Sequence, residues 1–429
     1  MNPRAMNFPE RSADRMKFNT KLIHGKVVSG YADGAILPPV AQAAAFRYES
    51  MEDLEGVFQH RKKGYAYSRI GNPTLTAFEQ RINELEGGFS AISCSSGMAA
   101  ISAALLTVCE SGDEIIAGNG LYGGTIDLFR DLEKLGIHTV FADHLTAEAV
   151  GGLIGERTKV VFGELISNPS LRVMDIPGVS NIAHEAGIPL FVDSTTATPY
   201  IARPLSLGAD VVIHSTSKYL NGGGNAIGGI IVDGGRFAWD FNRHRALMEF
   251  RKYGKAAFTI RLRTDIWENF GGCMAPVTAF LNCIGLDTLG LRMERICFNA
   301  ERLAQALDRI PGITVNYPTL PDRPCRELAE KELQGLGGGI LSFRAGSREK
   351  AFRIINRLKY ALIASNIGDL RTLVIHPAST LYIHSSREKM EEAGVYDDMV
   401  RVSVGIEDAE DLIRDFTDAV SGAGDGVNQ

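Results

Sequence analysis

Asp193 closes the apolar run Leu190-Phe191-Val192, and Lys218 closes Ser215-Thr216-Ser217-Lys218 after Val211-Val212-Ile213-His214. Three glycines, Gly222-Gly223-Gly224, follow the lysine. Upstream, Ser93-Cys94-Ser95-Ser96-Gly97 lies between an apolar run and a helical pattern starting near Met98. These residue types at these spacings suit one chemistry. A lysine amine forms a Schiff base with an aldehyde. A carboxylate keeps a pyridinium nitrogen protonated, so that the ring can draw electrons. Hydroxyls and free backbone N–H groups at a helix start hold a phosphate. Pyridoxal phosphate needs all three, and Lys218, Asp193, Ser215, Ser217 and the Ser96-Gly97-Met98 turn supply them. Val160-Val161-Phe162 leads in the same way into Glu164 and Asn168.

A second pattern points elsewhere. Gly118-Asn119-Gly120-Leu121-Tyr122-Gly123 matches G-x-G-x-x-G between an apolar run and a helical one. Asp143 follows at the distance of a ribose-binding acid. That pattern would make the chain a nicotinamide oxidoreductase, and on residues alone both readings stand. No G-x-x-x-x-G-K-[ST] phosphate loop occurs.

The elements that must carry these residues alternate. Glu114–Ala117, Thr139–Ala142, Val160–Phe162, Leu190–Val192 and Val211–Ile213 read as buried strands. Amphipathic stretches, Ile126–Leu135 and Val179–Ala186, lie between them. The alternation predicts an α/β fold with a mostly parallel sheet, whose ligands sit at the carboxyl ends of the strands. Before it, Asn72 and Pro73 open a helix, Leu75, Phe78, Ile82 and Leu85 give its apolar face, and Gly87-Gly88 stops it. Beyond Gly271-Gly272 the texture changes. A long helical pattern (Ile296, Ala300, Leu303, Leu307, Ile310) and two strand-like runs, Ile340–Phe343 and Val400–Val404, predict a smaller α+β domain. Residues 1–20 read as a loose arm.

Composition narrows the class. The 429 residues are 45% hydrophobic and 22% charged, which excludes a disordered, collagen-like or disulfide-stapled chain. The net charge of −6 gives no electrostatic reason for a nucleic-acid or membrane partner. Six scattered cysteines without a Cys-x-x-Cys pair point to a reducing, cytoplasmic setting and to no metal site. Phe89–Cys109 is uncharged and long enough to span a bilayer, yet its serines and alanines read as a buried strand and helix. Met1–Lys17 lacks the apolar core of a signal segment.

In this order the motifs resemble those of the Cys/Met-metabolism family of pyridoxal-phosphate enzymes. The likeness runs from about Phe18 to Thr417 and is carried by Tyr65-Ala66-Tyr67-Ser68-Arg69-Ile70-Gly71-Asn72-Pro73-Thr74, Ser96-Gly97-Met98-Ala99-Ala100 and Leu121-Tyr122-Gly123-Gly124-Thr125. Val192-Asp193, Ser215-Thr216-Ser217-Lys218, His376-Pro377-Ala378-Ser379 and Val400-Arg401-Val402-Ser403-Val404-Gly405 continue it. The resemblance implies a fold-type-I, aspartate-aminotransferase-like subunit. It divides the chain into an arm (1–70) reaching the neighbouring subunit, a cofactor domain (71–270) and a C-terminal domain (271–429). It also implies a homotetramer of two tight dimers. Lys218 then resembles the Schiff-base and proton-moving lysine, Asp193 the pyridinium partner, and Tyr122 the aromatic stacked on the ring and acting in catalysis. Gly97, Met98, Ser215 and Ser217 resemble phosphate ligands. Tyr67 and Arg69 resemble the pair that reaches the neighbour's phosphate. Arg401, Asn168 and Asn366 resemble the groups around the substrate α-carboxylate, where a guanidinium fork suits the task.

Within the family, Gly124 stands where methionine γ-lyases carry a cysteine. Ile231–Phe237, Arg261–Asp265 and Asn366–Asp369 are similar to O-acetylhomoserine sulfhydrylases. The implied reaction is γ-replacement on an O-acylhomoserine by sulfide or a thiol, giving homocysteine or methionine. A γ-lyase acting on methionine, homocysteine or cystathionine, or a cystathionine γ-synthase, is the alternative. Leu381-Tyr382 replaces a common Thr-His of the family, and Gly223 a common histidine.

Overall fold

The computed structural model describes residues 16–25, 34–59, 61–383 and 385–423. Two sheets organise them. The first holds β1 (Ser90–Cys94), β2 (Glu114–Gly118), β3 (His138–Ala142), β4 (Thr158–Glu164), β5 (Leu190–Asp193), β6 (Val211–Ser215) and β7 (Gly229–Asp233). Their spatial order is β1-β7-β6-β5-β4-β2-β3. Only β7 runs against the rest: it pairs antiparallel with both β1 and β6, while the other pairs are parallel. The carboxyl ends of β1, β2, β4, β5 and β6 therefore share one edge. Phe191, Val192, Val211, Val212 and Ile213 are fully buried, as expected of strands covered on both faces.

The second sheet holds β8 (Thr314–Asn316), β9 (Ile340–Arg344), β10 (Leu362–Ile363), β11 (Leu373–Ile375) and β12 (Met399–Ser403), in the order β10-β11-β12-β9-β8. Its core includes Leu341, Phe343, Val400, Val402 and Phe416. The helix Leu289–Asp308 serves both cores: Ile296 and Met293 belong to the first, Leu303 and Leu307 to the second.

Phe89–Cys109 resolves into β1 and the helix Gly97–Val108, which is too short to cross a bilayer. No helix among the described residues is long and apolar enough to do so. Residues 18–20, read above as arm, begin a helix, Phe18–His24. It buries Leu22 and sets Phe18 edge-on to Tyr200 of the same chain. The apolar spacing is too short there to announce a helix. The rest of that expected arm, residues 1–15, lies outside the described residues.

Asn72 illustrates how the chain before the first sheet is fixed. Its Oδ1 accepts from Thr74 N–H at 2.9 Å and caps the helix Pro73–Glu86. Its Nδ2 donates to Ala41 O and Ser68 Oγ, both at 2.9 Å. One buried side chain thus joins a helix start to the Tyr65–Asn72 segment. Asn72→Ala should lose the cap and leave those acceptors unpaired, at a cost of roughly 1–3 kcal/mol. Denaturant unfolding of the two proteins at equal concentration checks this; an unchanged midpoint would contradict it.

Candidate active site

The shared strand edge surrounds a cavity of about 250 Å³. Gly97, Met98, Tyr122, Asn168, Asp193, Ser215, Ser217, Lys218, Asn366 and Arg401 all line it. Ten of the twelve residues singled out in the sequence thus meet in one place. Tyr67 and Arg69 do not line it. Tyr67 is 44% exposed, and Arg69 donates through Nη1 to Glu268 O at 2.9 Å. Two larger hollows, of about 580 Å³ each, contain neither Lys218 nor Asp193.

Each wall has a local cause. Asp193 ends β5, where Thr195 N–H donates to its Oδ1 at 2.9 Å. Thr195 Oγ1 in turn accepts from Ser215 N–H at 2.7 Å, locking β5 to β6 just below Lys218. Ser217 Oγ accepts from Gly228 N–H at 2.9 Å, which fixes the turn carrying the lysine against the start of β7. Ser96 caps the helix Gly97–Val108 by accepting from Ala99 N–H at 3.0 Å. The N–H groups of Gly97 and Met98 have no acceptor within that helix, which makes its start an anion site. Glycine is required at two close approaches. A Cβ on Gly97 would lie 2.6 Å from Ser215 Cβ, and one on Gly229 would lie 2.1 Å from Ser96 O.

The opposite wall comes from the second sheet. Arg401, on β12, is buried; its Nη2 donates to Asn366 O at 3.0 Å and its Nη1 to Asn168 Oδ1 at 3.3 Å. Its Nε is buried without a hydrogen-bond partner among the described residues. Lys218 Nζ donates to Asn366 Oδ1 at 2.6 Å. Asn366 therefore stands between the amine and the guanidinium.

Charge is concentrated around this cavity. Burial, and then Arg401, push the Lys218 ammonium below its usual range. Burial lowers Arg401 to about 10, still a cation at neutral pH. Burial raises the Asp193 carboxyl, against the hydrogen bonds from Thr195. Glu164 sits beside Asp193 in the β4–β5 register, and burial plus that neighbour raise it to about 8. A protonated ring nitrogen at Asp193 would relieve both acids. A carboxylate, a lysine, free helix-start N–H groups and two hydroxyls fit pyridoxal phosphate group by group.

The G-x-G-x-x-G pattern has a different use here. Gly118 ends β2, and the turn leads into the helix Gly123–Lys134. Tyr122 N–H, where a pyrophosphate would need a donor, already pairs with Glu164 Oε1 at 2.6 Å. That donor is therefore not free for an anion. Asp143 is not part of the cavity around Lys218.

Sequence reasoning missed several lining residues, among them Thr195 and Ile227, whereas Leu381, noted as a departure from the family pattern, does line the cavity. Thr195 carried a signal, since Asp-x-Thr at a strand end forms such a turn. Ile227 carried none, because only the tertiary fold brings it to the lysine.

This fold and this lysine–carboxylate–helix-start arrangement define a pyridoxal-phosphate enzyme of fold type I. A model of Cys/Met metabolism PLP-dependent enzymes matches residues 19–421, and the chain belongs to that family. Homocysteine synthase of Schizosaccharomyces pombe is 38% identical over 420 residues, which is 94% of this chain and 98% of that protein. L-methionine gamma-lyase of Treponema denticola is 35% identical over 416 residues, 96% of this chain and 98% of that protein. A crystal structure named for O-acetylhomoserine (thiol)-lyase, from Campylobacter jejuni, superposes with a TM-score of 0.90 at 33% identity. It covers 95% of this chain and 100% of that one, and it contains N'-pyridoxyl-lysine-5'-monophosphate.

Gly97→Ala should push the helix start away from Ser215 and weaken cofactor binding by about tenfold or more, since one misplaced charge-assisted contact is worth that much. Titration of the cofactor-free protein with pyridoxal phosphate measures it; an unchanged dissociation constant would contradict the assigned cradle.

Proposed function

We propose that the protein catalyses γ-replacement on an O-acylhomoserine, with O-acetylhomoserine as the substrate and sulfide or a small thiol as the incoming nucleophile. The products are homocysteine or methionine, and acetate. The observation that carries the reading is the Lys218–Asn366–Arg401 chain, which places a base and a carboxylate clamp in one cavity beside Asp193. Bound there, pyridoxal phosphate supplies an aldehyde for the substrate amine and a ring that takes up electrons released at Cα.

The chain's own residues do the rest. Arg401 holds the substrate α-carboxylate, its unpaired Nε and its fork facing that charge, with Asn168 steadying the fork. The clamp orients Cα towards Lys218. The lowered proton affinity of Lys218 gives Nζ the free base needed to take the Cα proton. Nζ also takes a proton from Cβ, which lets acetate leave Cγ, and it returns protons to Cβ and Cα once sulfur has bonded at Cγ. Asn366 Oδ1 fixes Nζ between these transfers. Asp193 would keep the ring nitrogen charged, Tyr122 would cover the ring, and Gly97, Met98, Ser215 and Ser217 would hold the phosphate.

The assembly we infer is a homotetramer of two tight dimers, with residues 1–70 as the arm, 71–270 as the cofactor domain and 271–429 as the C-terminal domain. Tyr67 and Arg69 then complete the neighbour's phosphate site. Their exposure and their distance from this chain's own cavity support that reading. Six free cysteines, four of them buried, support a cytoplasmic setting.

The methionine γ-lyase relative supports a second reading, in which the same residues release a 2-oxo acid and ammonia. Both readings depend on Lys218. Lys218→Ala should lose at least about 10³-fold in turnover, the scale of removing a catalytic base. It should also lose the pyridoxyl label that borohydride fixes to the wild-type chain. A variant that kept the label and the rate would overturn the assignment.

A further inference from the structure

Glu164 has no role in the chemistry above. It ends β4, and its side chain reaches two loops at once. Oε1 accepts from Tyr122 N–H at 2.6 Å, and Oε2 accepts from Asn168 N–H at 3.2 Å. Tyr122 carries the aromatic of the cavity. Asn168 carries the amide oxygen that steadies Arg401. One carboxylate thus joins the wall against the ring to the wall that clamps the substrate.

The Tyr122 loop has a second anchor. Tyr382 donates its hydroxyl to Leu121 O at 3.2 Å, and its neighbour Leu381 lines the cavity. The ring itself leans over the start of the helix Gly123–Lys134. A Cβ at Gly124 would come 2.6 Å from Tyr122 Cε1, so the space over residue 124 belongs to the ring. The aromatic has little else to hold it: it is 43% exposed, and its pose follows from where the backbone is pinned.

We propose that Glu164 is a positioning residue that sets the pose of Tyr122 over the cofactor and keeps it in register with the Asn168–Arg401 clamp. The inference rests on the site assigned under the proposed function. A carboxyl group suits the task because both of its oxygens can accept from a backbone N–H. Glutamine keeps one acceptor and turns an N–H₂ towards the other loop. Alanine releases both.

The test uses the holoenzyme and the variants Glu164→Ala and Glu164→Gln. Lys218, Asp193 and the phosphate ligands are untouched, so both variants should hold the cofactor within about threefold of wild type. The visible circular dichroism of the bound cofactor should fall by about half or more, since it reports the aromatic beside the ring. KM for O-acetylhomoserine should rise about tenfold or more in the alanine variant, the scale of one lost charge-assisted contact. In a Tyr122→Ala background, adding Glu164→Ala should leave the dichroism unchanged, because the group it positions is gone. If the alanine variant does not fold, the isosteric glutamine variant gives the same readouts. An unaltered dichroism and KM in the single variants, or an equal spectral change with and without Tyr122, would overturn the proposal alone. A wild-type protein with no visible cofactor band would overturn the site assignment itself.

Discussion

The site depends on keeping two cations and two acids around one small cavity, each of them largely buried. Lys218 and Arg401 are pushed towards losing their protons, and Asp193 and Glu164 towards gaining them. None of these groups would be tolerated there alone, since a buried unpaired charge costs several kcal/mol. The cavity holds them because each has a fixed partner. Asn366 takes the lysine, Asn168 and Asn366 take the arginine, Thr195 takes Asp193, and two backbone N–H groups take Glu164. The same tension prepares the chemistry. A lysine that loses its proton easily is a base, and an arginine short of one partner is a carboxylate clamp.

The backbone makes this arrangement possible through one topological fact. With only β7 reversed, the other six strands deliver their carboxyl ends to the same edge. Adjacent strands then set Glu164 beside Asp193 and Asp193 beside Ile213, two residues before Ser215. The second sheet contributes Arg401 from β12, so the cavity exists only where the two sheets face each other.

Much of this was legible in the sequence because it is local. A strand that ends in Asp193, and one that leads into a hydroxyl-rich turn and Lys218, are short patterns whose chemistry is plain. Asn72, Pro73 and Gly87 bound their helix as written, with Gly87 in the left-handed region. The G-x-G-x-x-G pattern misled for the same reason. Locally it is a strand, a glycine turn and a helix, and only the tertiary pairing of Glu164 with Tyr122 N–H shows that this donor is already taken. Ile227 was illegible because nothing near it in the chain refers to Lys218. Leu381-Tyr382, a departure from the family pattern, proves to be an apolar wall residue and a loop anchor. The helix Phe18–His24 was read as arm because seven residues hold too few turns to show a period.

The central claim is that this cavity passes the four-carbon skeleton of O-acetylhomoserine to sulfur. The most direct measurement is the product balance of the wild-type holoenzyme on O-acetylhomoserine, with and without sulfide. The account predicts homocysteine and acetate in equal amounts when sulfide is present, and little 2-oxobutyrate in either case. Release of 2-oxobutyrate and ammonia at the same rate whether or not sulfide is added would contradict it.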